Sequence, residues 1–119
     1  MHELSLAEEV IRIAEYEAGR NNAGLVSEIT IEAGIFSGVE IDAFRSALEI
    51  ASGDTVVSGA SLKIILNKGQ GYCKICKMEF EMDNRIDTCP VCDSFPSEIR
   101  RGYEFRVVSL VVESDDEEI

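Results

Sequence analysis

Apolar residues in the first twenty positions recur with the spacing of a helix. Leu6, Val10, Ile13 and Glu17 lie near one face, and Leu4, Ala7, Ile11, Ala14 and Ala18 form a broad apolar stripe beside it. Ser5 with Glu8 three residues on has the form of a capping box, which predicts a helix starting at Ser5. Gly19 and Asn21-Asn22 mark its end. Over residues 26–35 the period changes to two. Ile29, Ile31, Ala33 and Ile35 share one side and Glu28, Thr30 and Glu32 the other, the pattern of a half-buried strand. After a turn at Ser37-Gly38, the residues Ile41, Phe44, Leu48 and Ala51 return to helical spacing, closed by Ser52-Gly53. Ala60, Leu62, Ile64 and Leu66 alternate as a second strand. Residues 103–112 form a third, in which Val107, Val108, Leu110, Val111 and Val112 leave little polar face and predict cover on both sides.

Between the second and third strands the pattern breaks. Lys68-Gly69-Gln70-Gly71 opens a segment that holds all four cysteines, as Cys73-Lys-Ile-Cys76 and Cys89-Pro-Val-Cys92, with twelve residues between the pairs. Each C-x2-C pair presents two thiolates from one tight turn, and two such turns complete the tetrahedron of a closed structural zinc site. A disulfide framework would need an oxidising compartment, and a thioredoxin-like motif needs one C-x2-C at a helix start rather than two matched pairs. Tyr72, Phe80 and Phe95 are the candidates for the apolar floor of this segment. So short a stretch buries little, so the metal should supply most of its folding free energy.

The expected fold class is α+β: a small mixed three-stranded sheet with two helices, plus an inserted zinc-ribbon-like module. The expected boundaries are 1–68 and 102–113 for the α+β domain and 69–101 for the module. Residues 114–119 form an acidic tail with the composition of a disordered segment.

Charge narrows the functional classes. The 119 residues carry a net charge of -12, unevenly spread. Residues 1–60 hold eleven acids and three bases, a net -8, whereas residues 61–112 hold seven acids and eight bases, a net +1. Phosphate backbones repel such a chain, which argues against a nucleic-acid-binding ribbon. Lys74, Lys77, Arg85, Arg100 and Arg101 flank the cysteines and would offset a dianionic four-thiolate zinc centre. No apolar run spans a bilayer, and the start of the chain lacks a signal-peptide pattern, so a cytoplasmic setting without membrane attachment is expected. Phosphate loops and nucleophile elbows are missing, and with one histidine in the chain an enzyme reading has little to stand on.

That histidine is His2. A free Met1 amine, the His2 backbone nitrogen and the His2 ring nitrogen can close two small chelate rings around one ion. The Glu3 backbone nitrogen, the Glu3 carboxylate or an outside ligand could fill the fourth corner. Nitrogen donors in a plane suit Ni(II) or Cu(II). From spacing alone this signal is weak, because a surface histidine at position 2 usually binds nothing.

Met-His-Glu-Leu-Ser-Leu-Ala at the start, Phe36-Ser-Gly-Val39, the two cysteine pairs and the strand opened by Gly102-Tyr-Glu-Phe together resemble the HypA/HybF family of hydrogenase nickel-incorporation proteins. The likeness covers nearly the whole chain apart from the tail. It implies a nickel metallochaperone, not an enzyme, that carries Ni2+ at His2 with Met1 and Glu3 and keeps structural Zn2+ at Cys73, Cys76, Cys89 and Cys92. It implies work with a HypB-type GTPase and delivery to the large subunit of [NiFe]-hydrogenase, with urease as a further acceptor of some members. Exposed strand edges leave a homodimer open. A zinc-ribbon adaptor without nickel carriage is the alternative. The chain departs from the family pattern in three places. Lys77 and Asp93 stand where glycine usually follows each cysteine pair, at a cost on the order of 1 kcal/mol if the backbone there has positive φ. Glu40-Ile41-Asp42 lacks the usual proline, and no histidine lies near the cysteines.

Overall fold

The computed structural model describes residues 2–114. Met1 and the residues after Ser114, on which the N-terminal amine ligand and most of the acidic tail fall, lie outside the described residues. The elements follow in the order α1 (Glu3–Arg20), β1 (Ala23–Gly34), α2 (Ile41–Ala51), β2 (Ser61–Asn67), β3 (Gly69–Cys73), β4 (Met78–Met82), β5 (Glu98–Arg101) and β6 (Phe105–Ser114). The strands make two three-stranded sheets, β2-β1-β6 and β4-β3-β5. The α+β class, two helices, a first sheet of three strands and an inserted cysteine module thus match the sequence pattern. The second sheet is the module's own.

The chain divides into two compact units. The first comprises Met1–Ile31, Val39–Lys63 and Val107–Ile119, and the second Glu32–Gly38 and Ile64–Arg106. In the first unit α1 packs against α2. Ala7, Val10, Ile11, Ala14 and Ala18 are its buried face, the expected stripe with Val10 added and Leu4 left exposed at the first turn. Phe44 and Leu48 of α2 and Val26, Ile29 and Ile31 of β1 complete that core. In β1, Glu28 stays exposed as the alternation required, but Thr30, expected on the same side, is buried.

Three further expectations about these elements fail. Helix α1 does not start at Ser5. His2 is the N-cap and the helix is under way at Glu3, so Ser5 sits inside the first turns. The capping-box pattern fixes a spacing that residues already within a helix can also satisfy. Strand β6 is not covered on both sides: it lies at the sheet edge, and Val108 and Val111 are exposed. β-branched valines pack well on any pleated, half-buried surface, so the run gave the strand but not cover on both faces. Ile35 falls beyond the end of β1 and is exposed rather than in phase with Ile29 and Ile31.

The second unit is built on glycines that let backbone meet backbone. A Cβ at Gly34 would lie 2.1 Å from the Gly102 carbonyl oxygen, and one at Gly69 would lie 2.3 Å from the Phe36 ring. The Gly34 amide donates to the Glu104 carbonyl at 2.7 Å, and the Phe36 amide to the Gly102 carbonyl at 2.7 Å. The Glu104 carboxylate accepts from the Asn67 side chain and from the Gly102 amide, each at 2.9 Å. The Asn67 amide, its main stabilising partner, holds the Glu104 carboxyl below its usual range.

Candidate metal centre

Each cysteine pair sits on a differently built turn. Cys73 ends β3, and the hairpin to β4 closes the first turn by pairing Cys73 with Met78. The Cys76 amide donates to Cys73 Sγ at 3.4 Å, and the Lys74 amide to Ser97 Oγ at 3.0 Å. The second turn lies between β4 and β5, outside any strand. There the Asp93 amide donates to the Cys89 carbonyl at 2.8 Å and the Cys89 amide to the Ser94 carbonyl at 2.9 Å.

The two turns bring all four sulfurs within 4.8 Å of one another. Cys73 and Cys92 approach to 3.5 Å, and Cys76 and Cys89 to 3.9 Å. Sulfurs about 2.3 Å from a common tetrahedral centre stand about 3.8 Å apart, so the cluster has the dimensions of a four-thiolate site. Such a set of soft donors fits zinc or iron. Cys73 and Cys89 are buried, and Cys76 and Cys92 partly so. The hydroxyl and backbone of Ser94, with the hydroxyl 3.3 Å from Cys92 Sγ, draw the Cys92 thiol down to about 6. The hydrogen bond to Cys92, with burial behind it, pushes Cys76 up to about 12. Cys76 and Cys92 are thus pushed in opposite directions. At neutral pH Cys76 keeps a proton that a divalent ion must displace, so uptake releases a proton and weakens in acid.

Lys77 and Asp93 do adopt positive φ, of 55° and 63°. A side chain other than glycine is disfavoured there by contact of Cβ with the following carbonyl, and asparagine or aspartate is disfavoured least. We expect Lys77→Gly to raise the stability of the metal-loaded second unit by about 1 kcal/mol, seen as a higher unfolding midpoint by calorimetry. An unchanged midpoint would show that the turn carries no strain.

The apolar floor differs from expectation. Phe80 is buried, but Phe95 is 68% exposed and Tyr72 is half-buried beneath the Arg100 guanidinium, 3.8 Å from the ring centroid. The floor is instead Phe36, Phe80 and Met82 with Cys73 and Cys89. Sequence reading missed Phe36 because it precedes the cysteines by a helix and a strand. The glycines at 34, 69 and 102 hint at a close approach there without naming the partner. Two of the flanking bases have other employment. Arg100 pairs with Glu79 at 3.1 Å and Glu98 at 2.9 Å. Arg85 lies over the Phe36 and Tyr103 rings and donates to the Phe36 carbonyl at 3.3 Å.

The second set of candidate ligands lies in the first unit. His2 is exposed and extended, with φ -96° and ψ 104°, and its side chain makes no cap hydrogen bond. Glu3 opens α1, and its carboxylate accepts from the Glu40 amide at 3.1 Å. That amide, and then Glu3's own, hold the Glu3 carboxyl below its usual range. Glu40 in turn caps α2 by accepting from the Ala43 amide at 3.1 Å.

Residues 1–112 match the family model described as "Hydrogenase/urease nickel incorporation, metallochaperone, hypA". The hydrogenase maturation factor HypA of Francisella philomiragia is 39% identical over 111 residues, covering 93% of this chain and 98% of that protein. That of Alkalilimnicola ehrlichii is 35% identical over 113 residues, 95% of this chain and all of the relative. Among solved structures, the nickel metallochaperone HypA from Helicobacter pylori superposes with a TM-score of 0.69 at 28% identity, over 97% of this chain and 100% of that one. A second HypA solution structure gives 0.72 at 30% identity, over 97% of this chain and 98% of that one. The chain belongs to the HypA family of nickel-incorporation metallochaperones that serve hydrogenase maturation.

Proposed function

We propose that this protein carries Ni(II) at its chain start, on His2 with Met1 and Glu3, and keeps Zn(II) at Cys73, Cys76, Cys89 and Cys92 for shape. The position of His2 carries the nickel reading. It stands outside α1 as an exposed N-cap whose ring takes no part in capping. The first N–H groups of a helix have no partner within it, so the His2 and Glu3 backbone nitrogens can turn to an ion without breaking the helical ladder. Glu3 has one carboxylate oxygen committed to Glu40, which ties the chain start to the beginning of α2 and leaves the other oxygen for metal or solvent. The soft, closed thiolate set suits zinc retention, and the nitrogen-rich open set suits a cargo that must leave.

On this reading the acceptor is the large subunit of [NiFe]-hydrogenase, reached with a HypB-type GTPase, in the cytoplasm. Residues 1–68 and 102–113 act as the nickel domain and 69–101 as the zinc module. The acidic first unit would draw cations and a basic partner surface toward it.

Adding one residue before Met1 moves the free amine out of chelating reach. Nickel affinity of the extended chain should then fall at least about tenfold against the native chain, because one chelate ring is lost. Competition with a chromophoric chelator measures it. Equal affinity would leave side chains alone as ligands, and no nickel uptake by either chain would favour a zinc-ribbon adaptor.

A further inference from the structure

We infer that Thr88 and Asp93 form a latch that closes the second cysteine turn and holds Cys89 and Cys92 on the ion. The inference rests on reading the four thiolates as a zinc site. The two turns differ in what closes them. The first is the end of a hairpin, and the Cys73–Met78 pair of the β3–β4 ladder clamps it. The second lies in the loop between β4 and β5, outside any strand, where the Cys89 amide reaches the Ser94 carbonyl at 2.9 Å. Beside that backbone bond Thr88 Oγ1 donates to Asp93 Oδ1 at 2.6 Å, across the four residues Cys89–Cys92. These are the residues flanking the pair on each side, so the bond spans the mouth of the turn.

Asp93 is also the residue whose backbone has φ 63° and whose amide reaches the Cys89 carbonyl. A short carboxylate tolerates that backbone and reaches Thr88, which glycine could not do. The position therefore exchanges some backbone ease for a side-chain bond that the first turn does not need. Groups that orient metal ligands without touching the metal commonly change its retention severalfold or more. Thr88 and Asp93 are positioning residues of this kind.

Burial does not separate the pairs: each has one buried and one partly buried sulfur. Any preference in opening order must then come from how the turns are held. Zinc-loaded full-length protein is mixed with an excess of a chromophoric chelator, and cysteines freed during release are alkylated and located by mass spectrometry. Thr88→Val should release zinc about fivefold faster than the native chain, as expected for losing one exposed hydrogen bond. It should also shift alkylation toward Cys89 and Cys92 relative to Cys73 and Cys76. Thr88→Ser restores the hydroxyl and should restore both the rate and the order. Asp93→Gly removes the carboxylate and the strained backbone together. Relief of the positive-φ backbone offsets part of the loss, so it should speed release less than Thr88→Val does, and slower release would overturn the latch. So would a Thr88→Val chain with native rate and order, or a Thr88→Ser chain that behaves like Thr88→Val. Absence of zinc uptake by the native chain would instead reject the zinc reading itself.

Discussion

On the zinc reading, stripping the ion from the four-cysteine centre should unfold the second unit while α1 and α2 stay helical. The second unit's buried cluster consists of Phe36, Cys73, Phe80, Met82 and Cys89, so two of its five members are candidate ligands of that ion. Its sheet strands β3, β4 and β5 have five, five and four residues, too short to stand without a core. Structural zinc contributes on the order of 10 kcal/mol to small domains of this kind, more than three buried apolar side chains at about 2 kcal/mol each. The first unit has its own core on Ala7, Val10, Ile11, Ala14, Ala18, Val26, Ile29, Ile31, Phe44 and Leu48 and owes nothing to the thiolates. Treatment with a strong chelator, or Cys89→Ser, should abolish amide protection across residues 69–101 in hydrogen exchange. The helical circular dichroism signal should persist. Protection that survives in metal-free protein would show that the sulfurs are not what holds this unit together. The sign of the pH effect follows from the ligands. Thiolates bind the ion and thiols do not, so stability from zinc is present at neutral pH and lost on acidification.

The order of elements and the gathering of the four cysteines could be read from the chain because both are local patterns. Helical and strand periods need only neighbouring residues, and a C-x2-C pair carries its geometry within one turn. The positive φ at Lys77 and Asp93 was legible in the same way, through the glycine the family pattern expects. What stayed hidden depends on partners distant in sequence. Phe36 enters the cysteine unit because glycines at 69 and 102 make room for its ring, and Phe95, closer in sequence, is left exposed. Arg85 and Arg100 looked like counter-charges to the thiolates, but the Phe36 and Tyr72 rings and the Glu79 and Glu98 carboxylates engage them. Which edge of the sheet β6 occupies is likewise a matter of topology, not of its own residues.

His2→Ala should abolish tight nickel binding and leave fold and zinc content unchanged. Replacing the imidazole removes one donor and opens a chelate ring, so affinity should drop by at least about 100-fold. Stability should hardly move. The His2 ring makes no cap hydrogen bond and is exposed, so alanine costs α1 neither a bond nor packing. That separation lets a nickel effect be attributed to ligation, which a Glu3 variant could not do. Glu3→Ala would also break the bond to the Glu40 amide at the start of α2. Glu3→Gln keeps an acceptor for that amide and is the better probe of the carboxylate. If the second carboxylate oxygen binds nickel, Glu3→Gln should weaken affinity; if the Glu3 backbone nitrogen is the donor, it should not. Nickel binding to the native chain should weaken as pH falls, since an amine nitrogen ligates only when deprotonated. Calorimetric titration of Ni(II) into untagged, zinc-loaded protein compares the variants directly. Equal stoichiometry and affinity in the native and His2→Ala chains would remove the N-terminal site, and with it nickel carriage by the start of the chain.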